Sequence, residues 1–395
     1  MSPSPRHIAL ECAVVALAVA LFYHPMLQPG TLLSGGDFAQ LFWPHREFRL
    51  AAMLDSGFLP LWNHYVFLGQ PFAATMQHGI FYPPDYLFFW RPPVAFELQL
   101  FTVLHSILCG VGLWWWLRRG FGLSAVGAIL AGALFPCTAW FWGAQEHANR
   151  VATTAWLPWA MGLAHLWVAG RMDWRRFVPL FALVSALGFL AGHPQEAFYG
   201  QLAIGAGVFV YALTKGGERW KYLGEKIGGL FGAGGLAGLL VAVQLLPTLE
   251  LSGYSYRQYE DLDPFYQTSV SMPPDVLQTL VFPRAFGDYA RGYEDGRAYT
   301  EYGIFVGLVT LVLAGCGIFA LLRKRRRRAA ALVLSCAVGS VLLALGGNFS
   351  LARIVTGVFS EAPAPAFNDA LIAAESPSLA EWPGLLRLSL YEAFI

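Results

Sequence analysis

Charge is scarce in this sequence: Asp, Glu, Lys and Arg make up 13% of its 395 residues, where soluble domains carry about 25%. Hydrophobic residues make up 56% and the mean hydropathy is +0.49, so the composition predicts an integral membrane protein. Cysteine is also sparse. Cys12, Cys109, Cys137, Cys316 and Cys336 all fall inside apolar runs, where they serve as small apolar side chains rather than a disulfide or zinc framework, and so say nothing about redox compartment. There is no Walker motif, no GxGxxG opening a βαβ unit, no GxSxG elbow and no HExxH. These absences argue against a nucleotide-driven pump and a grafted soluble hydrolase. No span carries a row of charges, as a proton pump or voltage sensor would. Heptads, solenoid periods and low-complexity tracts are missing as well.

What remains is apolar runs, each about the 20 residues that a membrane helix needs. They lie near 7–27, 98–117, 121–141, 151–169, 176–192, 196–214, 227–249, 301–322 and 329–346. The pattern predicts an all-α, polytopic bundle of about nine spans. No small-x-small cleavage site follows the first run, so it is read as a retained span rather than a signal peptide.

With the amino terminus in the cytoplasm, every short basic loop falls on that side. Arg6, Arg118, Arg119, Arg171, Arg175, Arg176, Lys215, Arg219, Lys221, Lys226 and the "RKRRRR" run at 323–328 account for 16 of the 26 basic residues, as the positive-inside rule requires. The run at 323–328 is read as an orientation signal touching anionic lipid, not as a nucleic-acid patch. The opposite face then owns the long loops 28–97 and 250–300 and the turns at 142–150 and 192–196.

In the first of these loops, "GGDFAQLFWPHREF" predicts an amphipathic interfacial helix. Phe38, Leu41, Phe42, His45, Phe48 or Arg49, and Ala52 recur every three or four residues, with Gln40, Arg46 and Glu47 elsewhere. Asp37 stands at its start, and two roles remain open from spacing alone. It is placed first of all to cap the first turn, and it is also placed to act as a catalytic base at the membrane surface.

More polar groups gather on the same side: Asn63, His64, Gln77, His78 and Asp85; Glu146, His147, Asn149 and Arg150; His193, Gln195 and Glu196; and Glu250, Tyr254, Arg257 and Glu260. Pro194 followed by Gln195 and Glu196 also reads as an ordinary helix start. Asp37, Glu146, His147, His193 and Glu196 have the chemistry to hold a divalent metal, but no tight ligand spacing supports one, and no cofactor is expected. Arg150 and Arg257, near span ends, are candidates to grip a lipid-linked phosphate. Pairing with acids such as Glu250 or Glu260, or anchoring at the interface, suits them equally.

Taken in order, "GGDFAQLFWPHREF", "PLWNHYVFLGQPFAATMQHGIFYPPDYLFF", "GAQEHANRVATTAWLPW", "GHPQEAFYG", "PTLELSGYSYR", "SMPPDVLQTLVFPRAFGD" and "EYGIFVGLVTLVLA" resemble the YfhO family of bacterial membrane proteins over about residues 1–350. That family is similar to the GT-C glycosyltransferases. The resemblance implies a plasma-membrane enzyme that takes a sugar from a polyprenyl-phosphate carrier and passes it to an envelope glycan, such as teichoic acid or a polysaccharide, on the outer face. It implies that Asp37 is the base, with His147, Arg150, His193, Gln195, Glu196, Arg257, Asn63 and Gln77 around the substrates. The implied partners are the lipid-linked donor, the glycan acceptor and membrane lipids, with no nucleic acid. A transporter or flippase of lipid-linked sugars and a non-catalytic scaffold are the competing readings. Residues 351–395 depart from the family pattern, which predicts a poorly ordered tail and is consistent with a truncated or frame-shifted product.

Overall fold

The computed structural model describes residues 4–33, 36–87, 94–213, 219–254, 272–288, 292–293, 303–323, 334, 337–338 and 340–341. Helix dominates them. The helices are α1 (Pro5–Phe22), α2 (Trp43–Ser56), α3 (Val94–Trp116), α4 (Ala125–Leu134), α5 (Ala139–Gly143), α6 (Ala148–Val168), α7 (Trp174–Leu190), α8 (Pro194–Leu213), α9 (Arg219–Ser252) and α10 (Leu308–Arg323). Strand is limited to two short antiparallel pairs, β1 (Trp62–Asn63) with β2 (Gln70–Pro71) and β3 (Gly287–Asp288) with β4 (Gly292–Tyr293). The chain divides into one unit of residues 1–137 and 144–253 and a second of 138–143 and 254–395.

Helices stand over eight of the nine expected runs. Among the described residues three stretches, Pro5–Phe22, Val94–Phe121 and Arg219–Ser252, are long and apolar enough to cross a membrane. A fourth is added if the broken helix from Ala125 to Glu146 counts as one span. The full nine is not reached. Helix α7 is only 17 residues long, and α6 and α8 mix Trp, Tyr, Thr, His and Gln into their apolar faces. The ninth expected run, 329–346, lies almost wholly outside the described residues, as does the tail 351–395. The membrane assignment is strengthened by what the helices leave uncovered. Leu10, Leu17 and Leu21 on α1, Phe231, Leu239 and Leu246 on α9, and Val309, Val312 and Phe319 on α10 are all exposed, more apolar surface than water tolerates.

Three helix starts are set by side-chain caps: Ser4 accepts from the His7 amide, Ser124 from Gly127 and Asp173 from Arg176, each satisfying an amide with no partner inside its helix. In the first unit α3 packs chiefly on α6, α1 and α4, and α7 on α9 and α6. The α3–α4 crossing depends on glycine. A Cβ at Gly110 would lie 2.5 Å from the Gly132 carbonyl oxygen, and one at Gly132 2.6 Å from that of Gly110. Two apolar cores sit at opposite ends of α6. One joins Phe38, Phe42, Leu50, Leu98, Phe101 and Ala152, and the other joins Leu163, Trp167, Phe177, Phe181, Val208 and Ala233.

The first long loop does not lie loosely on this bundle. Gln99 of α3 donates to the carbonyls of Met26 (2.7 Å) and Thr31 (3.1 Å) and accepts from the Leu33 amide (2.6 Å). Gln244 of α9 donates to the Ala73 carbonyl at 3.1 Å, and Thr248 one turn later donates to that of Ala74 at 2.7 Å. Tyr82 is held from both sides: Trp156 donates to its oxygen, and it donates in turn to His105 Nε2, both at 2.7 Å. The second His105 nitrogen donates to the Phe101 carbonyl at 2.8 Å, which fixes the neutral tautomer with Nε2 as acceptor. His105 and Gln244, which look scattered in the sequence, are therefore the spans' fastenings for the loop. A polar group within a span is costly unless partnered, and here the partner is loop backbone or Tyr82.

In the second unit, the extended segment 303–307 is fixed by two bonds. The Ala139 amide of α5 donates to the Phe305 carbonyl at 3.0 Å. The Ile304 amide donates to the Thr279 hydroxyl of the 3-10 turn Pro274–Leu280 at 3.4 Å.

Candidate functional site

The expected helix after Gly36 forms, but it begins as a π-turn over Phe38–Phe42 and continues as α2. Asp37 makes no side-chain capping bond and has helical dihedrals (φ −69, ψ −30), so the capping role does not hold. Its carboxylate is turned to another helix. Asp37 Oδ2 lies 2.9 Å from His147 Nε2, the carboxylate side chain 43% exposed and the imidazole 22%.

His147 occupies the N-cap position of α6 without capping it through its side chain. Its backbone carbonyl accepts from the amides of Arg150 (2.9 Å) and Val151 (3.3 Å), which leaves the ring free to reach Asp37. The hydrogen bond from His147, and after it that residue's charge, holds the Asp37 carboxyl below the usual carboxylate range against the opposing effect of burial. With an ionised Asp37 as acceptor, Nε2 carries the donated proton. His147 Nδ1 is buried and has no hydrogen-bond partner among the described residues. Asp37 is thus the half-open member of the pair and the one placed to receive a proton from outside.

The next turn of α6 and the start of α8 complete the cluster. Arg150 meets Glu196 with NH2–Oε1 at 3.2 Å and Nε–Oε1 at 3.4 Å. His193 Nδ1 accepts from the Glu196 amide at 3.4 Å, so α8 begins at Pro194 as its sequence predicts. Burial first, then the nearby charges of Arg150 and His147, press the His193 imidazolium down to about 4. His193 is accordingly neutral at physiological pH. The turn before it is shaped by Gly192, at φ +102. A Cβ there would lie 2.6 Å from the Met76 carbonyl oxygen, so only glycine supplies both the dihedral and the room. Asn149 donates to the Gly192 carbonyl at 3.0 Å and locks this turn to α6.

Of the residues named from sequence, the fold brings Asp37, His147, Arg150, His193 and Glu196 together. Other candidates have contacts of their own. Gln195 is exposed and donates to the Tyr199 hydroxyl on its own helix at 3.0 Å. Asn63 is buried and spends its side-chain oxygen on the Tyr65 amide at 3.0 Å. Gln77 sits in the 3-10 turn Met76–His78, whose backbone packs on Gly192. Arg257 and Glu260 lie outside the described residues. No group of three or more His, Cys, Asp or Glu side chains suited to a metal occurs among the described residues.

Sequence reasoning missed a second, deeper cluster. Arg46 is expected off the apolar face and Arg49 shares its place on that face with Phe48, yet both arginines are buried, and both reach one carboxylate: Asp85 Oδ2 at 3.4 Å and 2.9 Å, with Asp85 fully buried. His45 and His78 lie beside them with tilted rings whose centroids are 4.1 Å apart. Burial disfavours the charged form of both imidazoles, taking His45 to about 4 and His78 well below its ordinary value. The signal available in the sequence is the i, i+3 spacing of Arg46 and Arg49, which puts two bases on one face next to Phe42 and His45. Compared with protein-family models, with curated proteins and with solved structures, the chain matches none.

Proposed function

We propose that this protein is a membrane glycosyltransferase that moves a sugar from a polyprenyl-phosphate carrier to an envelope glycan on the extracytoplasmic face. In this reading α6, α7 and α8 belong to the membrane domain with the longer apolar helices, and the amino terminus is cytoplasmic. The observation that carries the proposal is the Asp37–His147 pair at 2.9 Å, a half-exposed carboxylate kept ionised beside a cluster of histidine and arginine.

The reaction replaces the anomeric carbon's bond to phosphate oxygen with a bond to an acceptor hydroxyl oxygen. Polyprenyl phosphate leaves, and the hydroxyl proton passes to Asp37. Sugar transfer runs through an oxocarbenium-like transition state, so a fixed carboxylate serves twice, facing positive charge as it develops and taking the proton late. A modest base suffices for such a step. His147 orients the carboxylate, and Arg150, braced by Glu196, supplies positive charge toward the departing phosphate. His193, neutral, is available as a hydrogen-bond partner for a sugar hydroxyl.

The test is sugar transfer from a radiolabelled polyprenyl-phosphate hexose to envelope glycan by the purified protein in lipid discs. Asp37→Asn is expected to fold and insert normally and to lose about 10²- to 10⁴-fold in rate, the usual worth of a general base. Full transfer by that variant overturns the assignment. Movement of the labelled carrier across liposomes with no glycosylated product favours the transporter reading.

A further inference from the structure

At the other end of α6 lies a cavity of about 350 Å3 bordered by Trp114, Trp115, Arg118, Arg119, Phe121 and Arg171. Its size falls within the roughly 300–1,000 Å3 of small-molecule sites. The 21 residues of α6, at 1.5 Å each, set it about 30 Å from His147, so it is separate from the catalytic proposal and does not rest on it.

The walls are built by an unusual end to α3. The helix widens into a π-turn, Leu117–Phe121, and stops at Gly122, whose amide donates to the Leu117 carbonyl at φ +66. The turn projects two adjacent arginines with different fates. Arg118 is neutralised, its guanidinium gripping both oxygens of Glu11 at 2.9 and 3.1 Å while Trp114 donates to the same carboxylate at 2.9 Å. The side chain of Arg119 has no hydrogen-bond or ion-pair partner among the described residues. Arg171, just past α6, donates to the carbonyls of Gly120 (2.9 Å) and Arg119, covering the negative end of α3 that would otherwise repel an anion. Its charge meets no carboxylate among the described residues. Asp173, the nearest acid in sequence, caps α7 and pairs with Arg176 at 3.8 Å.

Among the described residues the cavity therefore holds two guanidinium charges without a counter-ion, set among indole and phenyl rings at the end of a helix that can cross a membrane. That is the level at which lipid phosphates lie, and the ring and arginine pairing suits an interface. We propose that this cavity binds the phosphate of an anionic headgroup, held by Arg119 and Arg171 and flanked by Trp115 and Phe121.

The experiment uses the full chain in phosphatidylcholine discs, titrated with short-chain phosphatidylglycerol and separately with inorganic phosphate, reading bound adducts by native mass spectrometry and the thermal midpoint. Wild type is expected to retain phosphatidylglycerol over phosphatidylcholine. Arg119→Gln, whose side chain no fold contact needs, is expected to weaken that binding about tenfold, the worth of one charge-assisted pair. Displacement by inorganic phosphate alone supports the phosphate site and assigns it to a soluble anion, whereas no displacement supports a lipid. Equal binding of phosphatidylglycerol and phosphatidylcholine, or unchanged phosphatidylglycerol binding in both Arg119→Gln and Arg171→Gln, overturns the proposal.

Discussion

His147 holds one oxygen of Asp37 and thereby sets both its direction and its acidity. Since that hydrogen bond is the largest influence keeping the carboxyl low, His147→Ala is expected to raise it toward the ordinary carboxylate value. The acid limb of a pH–rate profile for sugar transfer should then move to higher pH. An unmoved limb would show that His147 does not act through Asp37. The same scale decides the fate of the deeper cluster. Asp85 is the shared carboxylate of two buried arginines, and breaking a buried pair leaves charge without compensation. Asp85→Asn is expected to cost about 3–5 kcal/mol of stability, read as a lowered thermal midpoint, while a surface change such as Asp55→Asn should cost almost nothing.

At the scale of elements, the site exists because two helix starts are brought side by side. The beginning of α6 offers His147 and Arg150, the beginning of α8 offers His193 and Glu196, and the tight turn at Gly192 lets the loop backbone of Met76 pack closely against it. Gly192→Ala puts a methyl group within 2.6 Å of a carbonyl oxygen in a dihedral that alanine resists. The expected result is loss of most transfer with the protein still inserted, measured by comparing activity per inserted molecule. Wild-type activity in that variant would mean the turn does not position the cluster. The first loop shows the same dependence on its neighbours. Its β1–β2 pair has only two residues in each strand, too little for independent stability, and the loop is held in place by Gln99 and His105 on α3 and Gln244 on α9.

For the whole molecule, the buried histidines predict a one-sided pH response. His45 and His193 are both held near 4, whereas in an unfolded chain they titrate near 6.5. Between those values the unfolded state binds more protons than the folded one, so folding is penalised as pH falls. Stability should be complete above about pH 6.5 and decline toward pH 4. The contribution of Asp37 follows the usual acid pattern, present above the ordinary carboxylate range and lost only below it. A thermal midpoint that is level from pH 8 to 7 and then falls continuously to pH 4, with a shallower fall in His45→Asn, is the expected result. A midpoint independent of pH over that range would contradict the burial of these rings as neutral species.

The sequence by itself determined the class and most of the helices, because scarce charge and apolar runs of about 20 residues leave the backbone few alternatives to helices buried in lipid. It also placed the start of α8 at Pro194, since proline and an acid in the first turn are local signals. The pairing of Asp37 with His147 was decided only by tertiary structure. The two are 110 positions apart, and spacing near Asp37 favoured a cap, a role the fold withholds by carrying helical dihedrals through that residue. Likewise, amphipathic periodicity assigned Arg46 an outward face, and a single buried carboxylate 39 residues later reversed it. Local patterns fix which backbone forms. Which charges meet is set by packing between distant segments, where one partner suffices to turn an expensive buried group into a fastening.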